Sequence, residues 1–318
     1  MRVSVLIPTY KRLFFLKKAV DDVLAQSFAD WELVISDDEV GDGETWRWLQ
    51  DLAARMPKVR VVKNKGPRHG QVWNVNNGLR ECHGDWVKPF YDDDRMHPDC
   101  LEKMMTVASK HPSVVMVGCR AQKWRAGKYV GDEKDFCHGE IDLIAQRDCL
   151  QALCRYDRWN GRTPQHMLIR RSAIEQGAYM PEDCCYKMPV DNVWFARILK
   201  VGDYAMIRDV LVEQHEGEIG SLTGIVRSDE TMIDAELFLA YHDIFDMMSK
   251  EERRGLTWRE VEMQINGARG VYHIKCGRFK YGIKTMLKMF KSTRAPFMVL
   301  RWLLQETFPG HFSATKRV

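Results

Sequence analysis

Val3-Ser4-Val5-Leu6-Ile7-Pro8-Thr9-Tyr10 opens the chain with a β-branched, apolar run that Pro8 stops. Outward from it, Leu13, Leu16, Val20, Val23 and Leu24 recur at helical spacing to about Gln26. Trp31-Glu32-Leu33-Val34-Ile35 reads as a second strand, ending in Ser36-Asp37-Asp38. Thr45 to Leu52 reads as a helix, Val59 to Val62 as a strand, and Gln71 to Glu81 as a helix. Trp86 to Tyr91 is a fourth strand, ending in Asp92-Asp93-Asp94, followed by a helix around Leu101, Met104, Met105 and Ala108 and a strand at Val114–Val117. Strands alternating with helices over short connections predict an α/β fold, a mostly parallel sheet flanked by helices. Ligands of such sheets bind beyond the carboxyl ends of the strands. Three polar clusters stand there: Pro8-Thr9-Tyr10, Asp37-Asp38 and Asp92-Asp93-Asp94.

The chain has 318 residues, of which 45% are apolar and 29% charged. That length allows about two domains, and the absence of any biased or repeated tract excludes a collagen-like or disordered chain. The net charge of +4 is too mild to argue for nucleic acid. It is unevenly spread. Val261 to Val318 holds 11 Lys/Arg against 2 Asp/Glu, a net of +9, which leaves −5 on the preceding 260 residues. Nine cysteines without a C-x-x-C pair fit neither a zinc ribbon nor a secreted disulfide framework, and point to a reduced, cytoplasmic setting. The N-terminus shows no signal pattern. The apolar window Ala295–Leu304 is interrupted by Arg301 and is too short to span a bilayer.

Three consecutive carboxylates at a strand end repel one another. A hard cation relieves this, because Mg²⁺ or Mn²⁺ takes one or two carboxylates and completes its shell with water and phosphate oxygens; a solvated acidic turn is the alternative. Neither G-x-G-x-x-G nor a Walker A loop follows the first strand, which argues against nicotinamide enzymes and P-loop nucleotidases. Asp191 precedes an amphipathic helix (Val193, Phe195, Ala196, Ile198, Leu199), where capping is its plain role. His215 follows the strand-like Val210-Leu211-Val212.

Taken together, these residues resemble a family 2 glycosyltransferase with the GT-A fold over roughly Val3 to Thr223. The resemblance rests on Val3 to Arg12, on Leu24-Ala25-Gln26-Ser27-Phe28 and on Trp31 to Asp38. It continues through Asn64-Lys65-Gly66, Gly84-Asp85-Trp86-Val87 with Asp92-Asp93-Asp94 and Pro98 to Leu101, Val190-Asp191 with Arg197, and His215 with Ser221 and Thr223. It implies an inverting, metal-dependent enzyme using a nucleoside diphosphate sugar. Pro8, Thr9 and Tyr10 would line the base and ribose, and Asp38 would accept an imide N–H, which favours UDP- or dTDP-sugars. Asp92 would lie near the ribose or sugar, and Arg12, Asn64, Gly66 and Asn74 complete the donor-binding set. Asp93, with Asp94 and His215, would hold Mn²⁺ or Mg²⁺, and Asp191 would be the general base. The implied acceptor is a glycan or lipid-linked hydroxyl in surface polysaccharide synthesis. A non-catalytic GT-A-like module binding a nucleotide sugar or glycan is the competing reading; coexisting base and metal ligands favour the enzyme.

The chain departs from the family pattern in places. Tyr91 stands where many members have another aspartate, which leaves the choice of ligand among Asp92, Asp93 and Asp94 open. Lys88-Pro89 interrupts a usually apolar strand, and proline cannot donate to a ladder, so a bulge or free edge is expected. Gly66-Pro67-Arg68-His69-Gly70 is a turn or a phosphate contact. Trp124, Tyr129, Trp159 and Tyr186 are core residues or acceptor-stacking rings, with Arg155–Arg162 a candidate lid.

The expected division is 1–225 as the catalytic unit, with a nucleotide-binding half (1–110) and an acceptor-binding half (111–225), and 226–318 as a basic helical extension. In the extension Ile233, Leu237, Tyr241, Ile244 and Met248 recur at helical spacing, and Thr257 with Glu260 forms a capping box. Its lysines and aromatics suit an anionic membrane surface at the inner face, or else its apolar face packs on the body. Nucleic acid is not an expected partner, since no recognised motif accompanies the basic residues.

Overall fold

The computed structural model describes residues 1–133, 137–154, 163–186, 189–216 and 230–288. The features expected at Ser221, Thr223, Tyr156 with Trp159, and from residue 289 onward lie outside them.

Four strands carry the opening half: β1 (Val3–Thr9), β2 (Trp31–Asp37), β3 (Val59–Lys63) and β4 (Trp86–Pro89). They run parallel in the order β3-β2-β1-β4. Helices α1 (Leu13–Leu24), α2 (Glu44–Arg55) and α3 (Gln71–Arg80) join them. Successive strand residues face opposite ways, and β1 feeds two cores accordingly. Val3, Val5 and Ile7 pack with Leu16, Val20 and Val23 of α1 and with Leu49 of α2. Leu6 points to the other side and packs with Val75 and Leu79 of α3.

The second half is mixed rather than parallel. It contains β5 (Arg95–Met96), α4 (Cys100–Lys110), β6 (Val114–Arg125), β7 (Lys128–Asp132), β8 (Ile141–Ile144), α5 (Gln146–Cys154), β9 (Met167–Arg170), α6 (Arg171–Glu175), α7 (Val190–Leu199) and β10 (Asp203–Glu216). The antiparallel β9 lies between β4 and β6, β10 runs parallel to β6, and β5 pairs antiparallel with β10. Pairing of β9 with β4 reaches only Trp86 and Val87, so Pro89 forfeits no ladder bond on that side. Lys88 is wholly buried there and donates to the Gln165 carbonyl.

Helices α8 (Glu230–Met247), α9 (Lys250–Arg253), α10 (Trp258–Lys275) and α11 (Phe279–Leu287) follow. Ile233, Leu237, Tyr241, Ile244 and Met248 are buried in one core with Val193 and Trp194 of α7 and Leu150 and Leu153 of α5. The expected capping box closes α10: the Thr257 hydroxyl accepts the Glu260 N–H and Glu260 accepts the Thr257 N–H. Among the described residues no helix is long and apolar enough to cross a membrane.

A buried carboxylate ties the amino-terminal ends of the parallel strands together. Glu32 Oε1 accepts from the Ser4 hydroxyl at 2.6 Å, the His83 N–H at 2.7 Å and the Gly84 N–H at 3.2 Å. Burial would raise its pKa, but these donors together with Arg2 hold it below the ordinary 4.5. Its stabilising share is therefore present above that ordinary value and lost as pH falls through the lowered one. Glu32→Ala should cost about 3 kcal/mol at pH 7, read from urea midpoints, and the gap to wild type should narrow at pH 3. Equal midpoints at pH 7 would show that this tie does not hold the strands.

Candidate active site

The carboxyl ends of β1, β2 and β4 bring three loops to one edge. The Asp38 N–H bonds the Thr9 carbonyl at 3.0 Å, the Asn64 N–H bonds the Asp37 carbonyl at 2.9 Å, and the Phe90 N–H bonds the Leu6 carbonyl at 2.8 Å. β5 adds the far side: pairing Val212 with Met96 sets the end of β10 beside Asp94, and the His215 N–H donates to Asp94 Oδ1 at 2.8 Å.

The aspartate triplet is interlocked with Arg12. Its guanidinium donates to Asp92 Oδ1 and Asp93 Oδ2, each at 2.9 Å, and the Thr9 hydroxyl donates to Asp92 Oδ2 at 2.8 Å. Burial drives the Asp92 pKa up to about 7, against the pull of Arg12, with Asp93 adding repulsion. Burial, then the charge of Asp93, likewise pushes Asp94 well above its ordinary value, opposed by the His215 N–H. One guanidinium does not neutralise the cluster.

A proton or a cation would relieve that crowding. Among the described residues no group of three His, Cys, Asp or Glu is placed to hold a metal ion, so Asp93, Asp94 and His215 do not form the expected three-residue set. Mg²⁺ or Mn²⁺ can be held by one or two carboxylates with water and phosphate. Asp93 and Asp94 each spend one oxygen on the bonds above and keep a second. The donor set fits a hard divalent ion. The His215 ring stacks on Trp124, its cross-strand partner, at 5.6 Å and 4°, and its Nε2 lies 3.4 Å from Glu213.

Asp38 is held more tightly than its sequence position suggested. Its Oδ1 accepts from Asn64 Nδ2 at 2.6 Å and faces His69 Nδ1 at 3.0 Å, and its Oδ2 accepts the Gly70 N–H at 2.7 Å. Gly70 has φ +111°, a backbone that side chains rarely adopt. The 66–70 turn therefore locks an aspartate, while Arg68 pairs with Asp183 at 3.7 Å. Asn64 also accepts the Gly66 N–H. Asn74 is buried, donating to the Thr9 and Ser36 carbonyls and accepting from the Ser36 hydroxyl. Asn64 and Asn74 thus brace Asp38 and Thr9 from within the fold, Gly66 closes on Asn64, and Tyr10, just past β1, is exposed.

Asp191 lies in the first turn of α7, not at its cap, which is Pro189. Its Oδ1 is enclosed without a hydrogen-bond partner, and burial lifts its pKa to about 7. Tyr91 is close enough for the Asp191 charge to raise its own pKa, after burial, and its hydroxyl accepts from Gln71 Nε2 at 2.8 Å. Asp93, Asp94 and Asp191 thus all lie within electrostatic reach of Tyr91. Tyr186 is a core residue whose hydroxyl donates to Asp243.

Sequence reasoning missed the clamp role of Arg12, the Gln71–Tyr91 contact and the stacking of Trp124 on His215. No local pattern announces them, because each pairs residues that only the sheet brings together.

A family model described as glycosyl transferase family 2 matches residues 4–177, more than half of the chain. The chain is 30% identical over 122 residues to the GalNAc(5)-diNAcBac-PP-undecaprenol beta-1,3-glucosyltransferase of Campylobacter jejuni, covering 38% of this chain and 39% of that protein. The matches span only 39%, 13% and 42% of the length of three such curated relatives. Among solved structures, S. aureus TarS 1–349 in complex with UDP-GlcNAc aligns with a TM-score of 0.62 at 12% identity, covering 92% of each chain. The mannosyltransferase PcManGT from Pyrobaculum calidifontis, in complex with GDP-Man and Mn²⁺, aligns at 0.56 and 15%, covering 97% of this chain and 88% of that one. At these identities the two structures establish a shared fold.

Removing one partner of a buried ion pair leaves an uncompensated charge, typically worth about 3–5 kcal/mol. Arg12→Gln should lose about that much stability at pH 8 by denaturant titration, with the deficit shrinking toward pH 5 as Asp92 and Asp94 take up protons. A deficit independent of pH would show that Arg12 acts by packing rather than by charge.

Proposed function

Because the chain belongs to glycosyl transferase family 2, and so is a sugar-transferring enzyme, we propose that it moves a sugar with inversion from a nucleoside diphosphate donor to a hydroxyl of a glycan or lipid-linked acceptor in surface polysaccharide synthesis. The observation that carries this reading is a pair of carboxylate environments within electrostatic reach of one residue, Tyr91. One is the crowded acidic edge at the sheet end, and the other is Asp191, whose enclosed carboxyl has its pKa raised by burial to about 7.

The acceptor hydroxyl attacks the anomeric carbon as the bond from that carbon to the diphosphate oxygen breaks. The hydroxyl proton passes to Asp191. A general base so placed contributes ~10²–10⁴-fold, and one displacement with one base gives inversion. Asp93 and Asp94 would hold Mn²⁺ or Mg²⁺, with the His215 main chain fixing Asp94, and a bound cation offsets the charge of the leaving diphosphate. The bonds Asp38 already makes leave one acceptor position on Oδ2 for an imide N–H. Such an acceptor suits the N3–H of uracil or thymine, the bases the donor reading favours. The lipid-linked acceptor draws support from the Campylobacter relative's name.

Asp191→Asn should abolish transfer while retaining nucleotide binding, and wild-type transfer should fall as pH drops below about 7, since only the carboxylate accepts the proton. Full activity in the variant would sink the base assignment. A thermal-shift panel of nucleoside diphosphate sugars with and without Mn²⁺ tests the donor site, because a ligand that binds the fold raises its melting temperature. UDP- or dTDP-sugars should give the largest shift, and Asp93→Ala should lose its Mn²⁺-dependent part. An unchanged Mn²⁺ dependence would count against Asp93 as a ligand.

A further inference from the structure

The last described helix presents three different surfaces. At about 100° per residue, Tyr281, Gly282, Thr285 and Met286 of α11 fall on one side, and that side is spent on the fold. Gly282 and Thr285 are buried, and the Tyr281 hydroxyl donates to Asp234 of α8. A Cβ on Gly282 would stand 2.6 Å from the Gly270 carbonyl oxygen of α10, closer than real Cβ atoms come. This tight helix crossing fixes how α11 is rotated.

The rotation turns Phe279, Ile283 and Leu287 outward, and they are 60%, 52% and 58% exposed. They share an arc of about 80°, and Lys280, Lys284 and Lys288 occupy the next arc of about 80°. All three lysines are exposed, and Phe279 to Lys288 contains no acidic residue. Apolar side chains beside a lysine row on one locked helix match the interface of an anionic bilayer, with the rings and alkyl groups at the acyl boundary and the ammonium groups at the phosphates.

We propose that this face of α11 is a docking surface for an anionic phospholipid membrane, which holds the enzyme flat on the bilayer. The sequence left open whether the apolar residues of this segment pack on the body; Tyr281 and Met286 do, whereas Phe279, Ile283 and Leu287 are exposed.

Flotation of the full chain with vesicles of phosphatidylcholine mixed with phosphatidylglycerol, against phosphatidylcholine alone, tests this. The wild type should bind the mixed vesicles and be released by salt. Replacing Lys280, Lys284 and Lys288 together by Gln should weaken binding about a hundredfold, at about fivefold per lysine. Phe279→Ser, Ile283→Ser and Leu287→Ser combined should weaken it at least about tenfold with an unchanged melting temperature, because these side chains are already in water. Failure of the wild type to bind mixed vesicles overturns the proposal. So does wild-type binding by both variants, which assigns the contact to residues 289–318, or conversion of a dimer to a monomer by the serine variant without lipid, which assigns the face to a second copy. If the serine variant fails to fold, the glutamine variant and the salt response decide alone. The assay needs no sugar donor, so its failure leaves the transfer reading standing.

Discussion

The site rests on an electrostatic imbalance. Asp92, Asp93 and Asp94 leave β4 together, and one guanidinium, Arg12, bridges the first two. The third is met by a main-chain N–H from His215. Burial strengthens every one of these contacts and also makes incomplete neutralisation costly. The raised pKa values of Asp92 and Asp94 express that shortfall. A divalent ion held by Asp93 and Asp94, as proposed above, would offset that excess negative charge.

The fold makes this arrangement by dividing its tasks along the strands. At the amino-terminal ends, Glu32 is fully provided with donors and its pKa is held down. At the carboxyl ends, carboxylates are crowded and their pKa values are driven up. The contrast follows first from burial, which weighs more heavily on Asp92 and Asp94 than on Glu32, and then from the repulsion within the triplet, whereas the donors around Glu32 outweigh its desolvation. Beside the triplet, Asn74 donates to the strand-end carbonyls of Thr9 and Ser36, and Asn64 donates to Asp38 and the Arg68 carbonyl, which fixes these loops relative to one another.

The helices after residue 230 belong to this economy as well. Ile233, Leu237 and Tyr241 of α8 share a core with Val193 and Trp194 of α7, and Asn192, the neighbour of Asp191, donates to the Tyr241 hydroxyl at 3.3 Å. The extension therefore buttresses the helix that carries Asp191 at one end and turns a basic, apolar face outward at the other.

Much of this was legible along the chain. The runs at Val3, Trp31, Val59 and Trp86 identify four strands, because a β-branched apolar run bounded by turn residues has few other uses. The acidic triplet, Asp38, Asp191 and His215 are legible as candidates because clustered or strand-terminal polar groups need a reason to be there. The insertion of β9 between β4 and β6 was not, since Met167–Arg170 carries no local mark of its partners. Nor was Arg12 as a clamp on residues eighty positions away, nor Gly70 as a donor to Asp38. In α11 the sequence determined a basic amphipathic pattern, and only the Gly270–Gly282 crossing decided which side met water. Local periodicity constrains what a segment can bury; partner, orientation and degree of desolvation are set by contacts between segments far apart in the chain, and those exist only once the sheet has closed.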